Sequence, residues 1–427
     1  MARRRRSKPG SDLISQLPED LKHKILERLD TRSAAKTALF SRQWKDVWLR
    51  HGQLVFGWED CPNGGRDEDD FKFLVKTITN VLLLRTGPVK IFSFSIYRKF
   101  NTPEQSDLDG LCLFLSKNGI EQLHLSILPH PDSEKLTIPA CIFSCPTIKR
   151  LYVDAIDFYG PVCAPHGSIL SGVTSIIFTE VEFKAKASGT LPVNIPNLEE
   201  LSLCWCHRID NFVFSAPKLK SLIVVYANSP IDLKWFELHV LGIKNLSLTI
   251  DSVLVKPEKN IQEWFPTAMN LQVIKLHGFA FLCQKHIVLV IQLLKKCPNL
   301  LELGIEIKPK SQVSYEEEEE EADFPDLSIP KDPNRWFDDQ DLCKLKSVKM
   351  QSFNGLREEV AFIKTILARA PALEEVIIKE SVDIDTSLAS KFKRKMTTFA
   401  RASSKAEVIV TDTEYLVSSL KSLFPNF

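Results

Sequence analysis

The sequence predicts an α/β fold: a small N-terminal helical module, an irregular solenoid of short strands, and a C-terminal cap. Three features of the chain predict it. Apolar residues recur at helical spacing within residues 13–50. A motif of the form apolar-x-x-apolar-x-apolar then recurs eleven times between residues 89 and 378. A further helical pattern separates the last two copies of this motif.

The composition narrows the class of protein. Of 427 residues, 44% are hydrophobic and 26% are charged, and the formal net charge is +1. This overall charge favours neither nucleic acid nor an acidic membrane surface. No apolar run approaches the roughly 20 residues of a membrane helix. The ten cysteines are scattered through apolar segments, which is typical of reduced thiols. We therefore expect a cytoplasmic or nuclear protein without a membrane or nucleic-acid partner.

Residues 1–10 are predicted to form a disordered basic tail. The tail contains the run Arg3 to Arg6 and leads into no apolar segment, so it does not resemble a secretory signal. Two interpretations stay open. The run is either a nuclear import signal or an inert tail.

The first helix of the module is predicted to begin near Pro18, since proline suits a first helical turn. Leu21, Ile25, Leu26 and Leu29 then form one apolar stripe. This stripe indicates a face that packs against something else.

Two more short helices are predicted in residues 31–50. Asp30 or Thr31 can cap the first of them and Ser41 the second. Trp44 and Trp48 lie one helical turn apart on the last helix. Three helices this short cannot bury all their apolar surface among themselves, so the module is predicted to dock on a partner. The alternative is a helical cap on the solenoid that uses both tryptophans internally.

The repeated motif predicts the strands. Its copies are Val89/Phe92/Phe94, Ile120/Leu123/Leu125, Ile148/Leu151/Val153, Val173/Ile176/Phe178, Leu198/Leu201/Leu203, Leu219/Leu222/Val224, Ile243/Leu246/Leu248, Leu271/Ile274/Leu276, Leu300/Leu303/Ile305, Leu345/Val348/Met350 and Leu373/Val376/Ile378. Apart from one gap of 45 residues, first positions lie 21 to 31 residues apart, in or near the range of leucine-rich repeats.

The last two apolar positions of each copy share one face of a strand, and stacked copies bury that face. Polar residues between them, such as Glu200 and Ser202, are expected to face solvent. An ordinary α/β protein with leucine in its strands is the alternative. The long gap holds an acidic loop, residues 311–335, with Glu316 to Glu321 in a row. A solvated loop is expected there, with docking to a basic partner as the alternative.

The helical module resembles the plant-type F-box. The resemblance rests on Leu17-Pro18, the amphipathic helix, the stretch Leu39-Phe40-Ser41-Arg42, Trp44 and Trp48. It implies binding to a Skp-type adaptor and, through it, to cullin and RING subunits of a ubiquitin ligase. The adaptor contacts implied by the resemblance are Leu17, Pro18, Leu21, Ile25, Leu26, Leu29, Leu39, Arg42, Trp44 and Trp48.

The module departs from the family pattern at three positions. Lys22 replaces a common aliphatic residue, Gln43 replaces a common basic residue, and Phe40 interrupts the usual Leu-Ser pair. These departures suggest a weaker adaptor contact. They are the support for an alternative in which the chain is a leucine-rich-repeat scaffold for protein–protein interaction, without a ligase role.

The C-terminal part resembles the FBD domain that follows the repeats in many plant F-box proteins. The resemblance rests on residues 345–350, Phe353-Asn354-Gly355, the helix after them, and residues 401–408. The predicted domains are therefore the tail 1–10, an F-box 11–56, the repeat solenoid 57–335 and an FBD-like domain 336–427.

No residue set in the sequence indicates catalysis, a cofactor or a metal. Cys204 and Cys206 are one residue apart and lack a second pair, and Cys283 with His286 lack partners. Together with the F-box resemblance, which implies a ligase subunit that presents a target protein, this predicts a non-catalytic role for the chain. Trp205, Tyr226 and Trp235 are candidate target anchors, with packing as the alternative for each.

Overall fold

A computed structural model describes residues 13–61, 68–97, 104–128, 135–159, 169–184, 193–227, 235, 240–252, 267–308, 336–337, 342–381, 392, 394–396 and 398–411. The basic tail and the acidic loop 311–335 lie outside these residues. The chain divides into two compact units, Met1–Asn197 and Leu198–Phe427. The division falls within the region predicted to be repeats.

The first unit contains six helices within its described residues. They are α1 (Glu19–Leu26), α2 (Thr31–Thr37), α3 (Arg42–Arg50), α4 (Glu68–Leu83), α5 (Gln105–Lys117) and α6 (Ala140–Phe143). Its strands are β1 (Gln53–Gly57), β2 (Ile91–Tyr97), β3 (Gln122–Leu128), β4 (Arg150–Asp154), β5 (Phe158–Tyr159), β6 (Ser175–Thr179), β7 (Phe183–Lys184) and β8 (Val193–Asn194). Strands β1, β2, β3, β4 and β6 pair in that order, all in parallel.

The second unit contains two longer helices within its described residues, α7 (Gln284–Lys296) and α8 (Arg357–Arg369). Its strands are β9 (Glu200–Cys204), β10 (Phe214–Ser215), β11 (Ser221–Val225), β12 (Asn245–Thr249), β13 (Val273–Phe279), β14 (Glu302–Ile307), β15 (Ser347–Phe353), β16 (Glu375–Glu380) and β17 (Glu407–Thr411). Strands β9 and β11 to β17 form a parallel series in chain order.

Each of the eleven motif copies coincides with one of these parallel strands, which confirms the predicted strand positions. The pairing also keeps equivalent motif residues side by side. Leu123 of β3 lies opposite Phe92 and Leu151, and Leu246 of β12 lies opposite Leu222 and Ile274. Because all of these side chains are buried, the motif leucines form a continuous apolar layer within each unit.

The expectation that Ser202 faces solvent is wrong, although Glu200 is exposed as expected. Ser202 is only 6% exposed. Ile223 occupies the same register on the adjacent strand. The second face of the sheet is therefore not uniformly solvated.

The strands β15 and β16 and helix α8 lie where the FBD-like pattern places a strand, a helix and a strand. The turn before α8 contains Gly355 at φ 75°, a left-handed conformation that glycine adopts without strain. Glu359, with 0% exposure, accepts hydrogen bonds from the backbone N–H groups of Asn354 at 3.0 Å and Leu356 at 3.1 Å. A buried carboxylate thus fixes the entry to the helix.

Among the described residues, no helix is both long and apolar enough to cross a membrane.

Candidate functional site

Helix α1 begins directly after Pro18, which occupies the N-cap position. Glu19 and Asp20 fill its first turn, where negative charge complements the helix dipole. Glu19 also forms an ion pair with Arg50 of α3, with 2.9 Å between Oε1 and Nη2. This pair joins the start of the first helix to the end of the third.

Side-chain caps start the other two helices, as the sequence predicts. The Asp30 carboxylate accepts a hydrogen bond from the Ser33 amide at 2.7 Å, and its hydrogen bonds with Ser33 lower the pKa of Asp30. The Ser41 hydroxyl accepts from the Trp44 amide at 3.3 Å and also receives a hydrogen bond from the Ser15 hydroxyl at 3.1 Å. These bonds satisfy N–H groups that a helix start otherwise leaves unpaired.

The core of the helical module contains three of the ten residues predicted to contact an adaptor. Leu26, Trp44 and Trp48 are 0%, 1% and 7% exposed. Val47 and Ala34 of the same module are also buried. In this structure these three side chains therefore hold the module together and present little free surface.

Most of the other predicted contact residues lie on the module surface. Leu39 is 85% exposed, and Leu21, Ile25 and Leu29 are between 37% and 45% exposed. Pro18 and Arg42 are also exposed, and Leu17 is half-buried. The stripe predicted for α1 is thus split, since Leu26 points inward while Leu21 and Ile25 remain accessible.

Three further apolar residues of the module are exposed, although the sequence did not predict them as adaptor contacts. Leu13, Ile14 and Phe40 are 69%, 59% and 64% exposed. They lie in turns outside the three helices, where helical spacing gives no signal. We call the exposed side chains Leu13, Ile14, Leu21, Ile25, Leu29, Leu39 and Phe40 the apolar face of the module.

Lys22 and Gln43, two of the departures from the family pattern, contact each other. The Lys22 ammonium donates to Gln43 Oε1 at 2.9 Å and to the Ser15 carbonyl at 2.7 Å, and it lies 5.8 Å from the centre of the Trp44 ring. Lys22 is 4% exposed, so its charge needs these partners. A basic residue at position 43 would repel it. The two departures therefore form one coupled feature.

The module is attached to the strands that follow it through Arg85. Its guanidinium donates to the Trp48 carbonyl and lies 4.3 Å above the centre of the Trp48 ring. The His51 ring also stacks on Trp48, with 6.2 Å between the two ring centres. Burial, together with the charge of Arg85, lowers the pKa of His51 to about 4.

We expect His51 to make the stability of the first unit fall in mild acid. A pKa below the usual 6.5 means that the fold excludes the protonated form, so the stability present above pH 6.5 is lost as pH falls toward 4. Between pH 7 and pH 5 the loss from this residue is about 2 kcal/mol. His51→Gln should remove that part of the pH dependence in urea unfolding curves recorded at both pH values. His207→Gln, a change at an exposed histidine, should retain it. If the unfolding free energies of the two variants fall by the same amount between pH 7 and pH 5, His51 is not the source of the acid sensitivity.

The three candidate target anchors differ in their environment. Trp235 is 4% exposed and donates its indole N–H to the Phe212 carbonyl at 2.9 Å, so it is a packing residue. Trp205 and Tyr226 are half-buried and stack on each other, with ring centres 5.2 Å apart and an angle of 11° between the planes. Only these two remain candidates for a binding surface.

Within the described residues, no group of three or more His, Cys, Asp or Glu side chains is arranged to hold a metal ion. Cys204 and Cys206 are both buried, and burial raises the pKa of Cys204. His286 Nε2 lies 3.1 Å from Asp251 Oδ1. Its Nδ1 accepts a hydrogen bond from the Ala280 amide at 3.0 Å, so both ring nitrogens are used in packing the loop before α7.

Comparison with known proteins identifies the module. Residues 14–54 match the F-box domain family, so the chain carries an F-box domain. An F-box/FBD/LRR-repeat protein from Arabidopsis thaliana is 27% identical over 432 residues, covering 93% of this chain and 98% of the relative. An F-box/LRR-repeat protein from the same plant is 25% identical over 314 residues, covering 70% of this chain and 60% of the relative. The chain is thus similar to plant F-box proteins that carry leucine-rich repeats and an FBD domain.

Proposed function

We propose that this chain is the substrate-recognition subunit of a Skp–cullin–F-box ubiquitin ligase. The apolar face of the module binds the Skp-type adaptor, which brings the cullin and RING subunits. The repeat strands form an irregular leucine-rich repeat solenoid with the FBD-like region as its C-terminal cap, and they bind a target protein. Ubiquitin transfer takes place on other subunits, so this chain is not itself an enzyme. The cytoplasm and the nucleus are the proposed compartments.

The observation that carries the proposal is the apolar face. A module whose interior is filled by Leu26, Trp44 and Trp48 has no internal use for a further set of exposed leucines, isoleucines and phenylalanine. Exposed apolar side chains grouped on one small module are typical of a protein interface. Helical side chains with this spacing, such as Leu21 and Ile25, fit a groove of a helical partner.

The chain acts through proximity. Held at one end by the adaptor and at the other by its target, it raises the effective concentration of target lysines near the ubiquitin-carrying enzyme. This role needs two binding surfaces on one chain and no catalytic residue.

The test is co-purification of the full chain with a Skp-type adaptor and cullin. Leu21→Asp/Leu39→Asp should reduce adaptor binding about 100-fold or more, because it places two carboxylates in an apolar contact. The matched control is Leu241→Asp, a change at a leucine of the second unit that is 52% exposed, which should bind the adaptor normally. If the folded wild type captures no adaptor, or captures it without cullin, the ligase role is overturned and the interaction-scaffold role replaces it.

A further inference from the structure

A cavity of about 290 Å³ lies between helices α4 and α5 of the first unit. Phe94 of β2 and Ile127 of β3 line it and are buried, whereas Leu83, at the end of α4, lines it and is exposed. The cavity therefore reaches from the sheet to the protein surface. It shares no residue with the apolar face of the module. We call it the interhelical cavity.

The walls of the interhelical cavity are mostly apolar. The two helices contribute Val75, Ile78, Leu82, Leu108, Leu111 and Phe114. An apolar cavity of about 150 Å³ inside a protein holds a benzene molecule. The interhelical cavity therefore fits an apolar body of about twice that size.

Gly110 leaves one side of the cavity open. It lies in the middle of α5 and lines the cavity. A Cβ atom placed on Gly110 would have no heavy atom within 4 Å, apart from its chain neighbours and the backbone of its own helix. Glycine weakens a helix interior relative to alanine, and no neighbouring group excludes a side chain here. The space beside Gly110 is therefore not filled by the described part of the chain.

Among the described residues that line the cavity, Asp107 is the only charged one. The two hydroxyl groups of the lining donate within the chain, that of Thr79 to the Val75 carbonyl at 2.9 Å and that of Ser106 to the Glu104 carboxylate at 3.3 Å. The Asp107 carboxylate forms no hydrogen bond or ion pair with another described side chain. It is therefore the polar group that a bound molecule can use.

We propose that the interhelical cavity binds a small molecule with an apolar body and one protonated amine, about ten to twelve non-hydrogen atoms in all. The apolar body packs on Phe94, Ile127 and the facing sides of the two helices. The ammonium group lies beside Asp107, whose charge attracts a cation and repels a carboxylate. A few placed polar groups in an otherwise apolar pocket are typical of small-molecule sites. The site does not depend on the ligase role.

The experiment titrates the full chain at pH 7 with three probes that share one apolar body: phenylbutylamine, phenylbutanol and phenylbutyrate. Binding is measured by calorimetry. Phenylbutylamine should bind with a Kd of about 1 mM or below. It should bind about three- to fivefold more tightly than phenylbutanol, because an ion pair with an exposed carboxylate is weakened by solvent. Phenylbutyrate should bind most weakly.

Two variants separate the apolar and the charged contact. Gly110→Leu places a side chain in the cavity and should abolish binding of all three probes. Leucine favours a helix more than glycine does, so thermal unfolding should occur at the same temperature or higher. Asp107→Asn should bind phenylbutylamine and phenylbutanol equally. The matched control is Asp109→Asn, a change on the same helix at a residue that does not line the cavity, which should keep the preference for the amine.

Three results with bound probes overturn the proposal: equal affinity of the wild type for all three, a charge preference that persists in Asp107→Asn, or unchanged binding in Gly110→Leu. Absence of binding by every probe also overturns it. Light scattering on the same samples then shows what the cavity does instead. If Gly110→Leu changes the oligomeric state, a second copy of the chain covers the cavity, and if the state is unchanged, the cavity is a packing gap.

Discussion

Trp44→Ala should destabilise the helical module by about 3–5 kcal/mol, the usual cost of removing a buried tryptophan side chain. Trp44 is 1% exposed and lies under the Lys22 ammonium and beside Phe40, whose ring centre is 6.4 Å away. Its removal leaves a cavity next to Lys22 of α1 and Phe40. Hydrogen exchange measured on peptides from residues 19–50 should show protection reduced by a factor of about 100 or more.

This effect changes how adaptor-binding experiments on the module are interpreted. Loss of adaptor binding in Trp44→Ala would follow from unfolding, since the side chain presents almost no surface. Leu39→Ala, at a residue that is 85% exposed, should leave hydrogen exchange unchanged within about 0.5 kcal/mol and still weaken adaptor binding. If Trp44→Ala exchanges like the wild type, the packing described for the module core is wrong.

The strands of the repeats could be predicted because each motif copy shows which of its residues lie in the strand and on the same face. The two-residue strands β5, β7, β8 and β10 were not predicted. In the two parallel series, two strands were missed, β1 and β17. Two apolar residues of each strand, Leu54 and Phe56 in β1 and Val408 and Val410 in β17, lie opposite motif residues of β2 and β16. The residue three positions before each pair is His51 or Lys405, where the motif has an apolar residue. The end strands therefore lack one of the three apolar positions that a repeat search needs.

The site was only partly predictable for a different reason. Helical spacing shows which residues share a stripe, but neighbouring positions such as Ile25 and Leu26 are about 100° apart on a helix, and only packing decides which faces inward. The environment of Lys22 depends on Gln43, 21 residues later in the chain. Considered alone, each residue departs from the F-box pattern. Together they form a hydrogen bond that gives the buried Lys22 ammonium a partner.

Glu359→Ala should destabilise the region around α8 by about 3 kcal/mol. Glu359 has no exposed surface, and its carboxylate accepts from the Asn354 and Leu356 amides. Without it, two N–H groups at the helix entrance lose their acceptor, and a buried unsatisfied donor costs about 1–3 kcal/mol. Phe353 precedes this turn and packs on Phe392 with ring centres 4.4 Å apart, so the loss should spread into the adjoining core.

The comparison that isolates this role is Glu358→Ala, one position earlier in the same first turn of α8. It removes an equal charge from the helix start and should cost no more than about 1 kcal/mol. Glu359→Gln keeps one carbonyl oxygen as acceptor and should lie between the two in urea unfolding measurements. Equal stability of Glu358→Ala and Glu359→Ala would mean that the carboxylate acts only through the helix dipole. A large difference would show that a buried acceptor, rather than the apolar contacts of α8 alone, fixes the Phe353-Asn354-Gly355 turn and with it the start of α8.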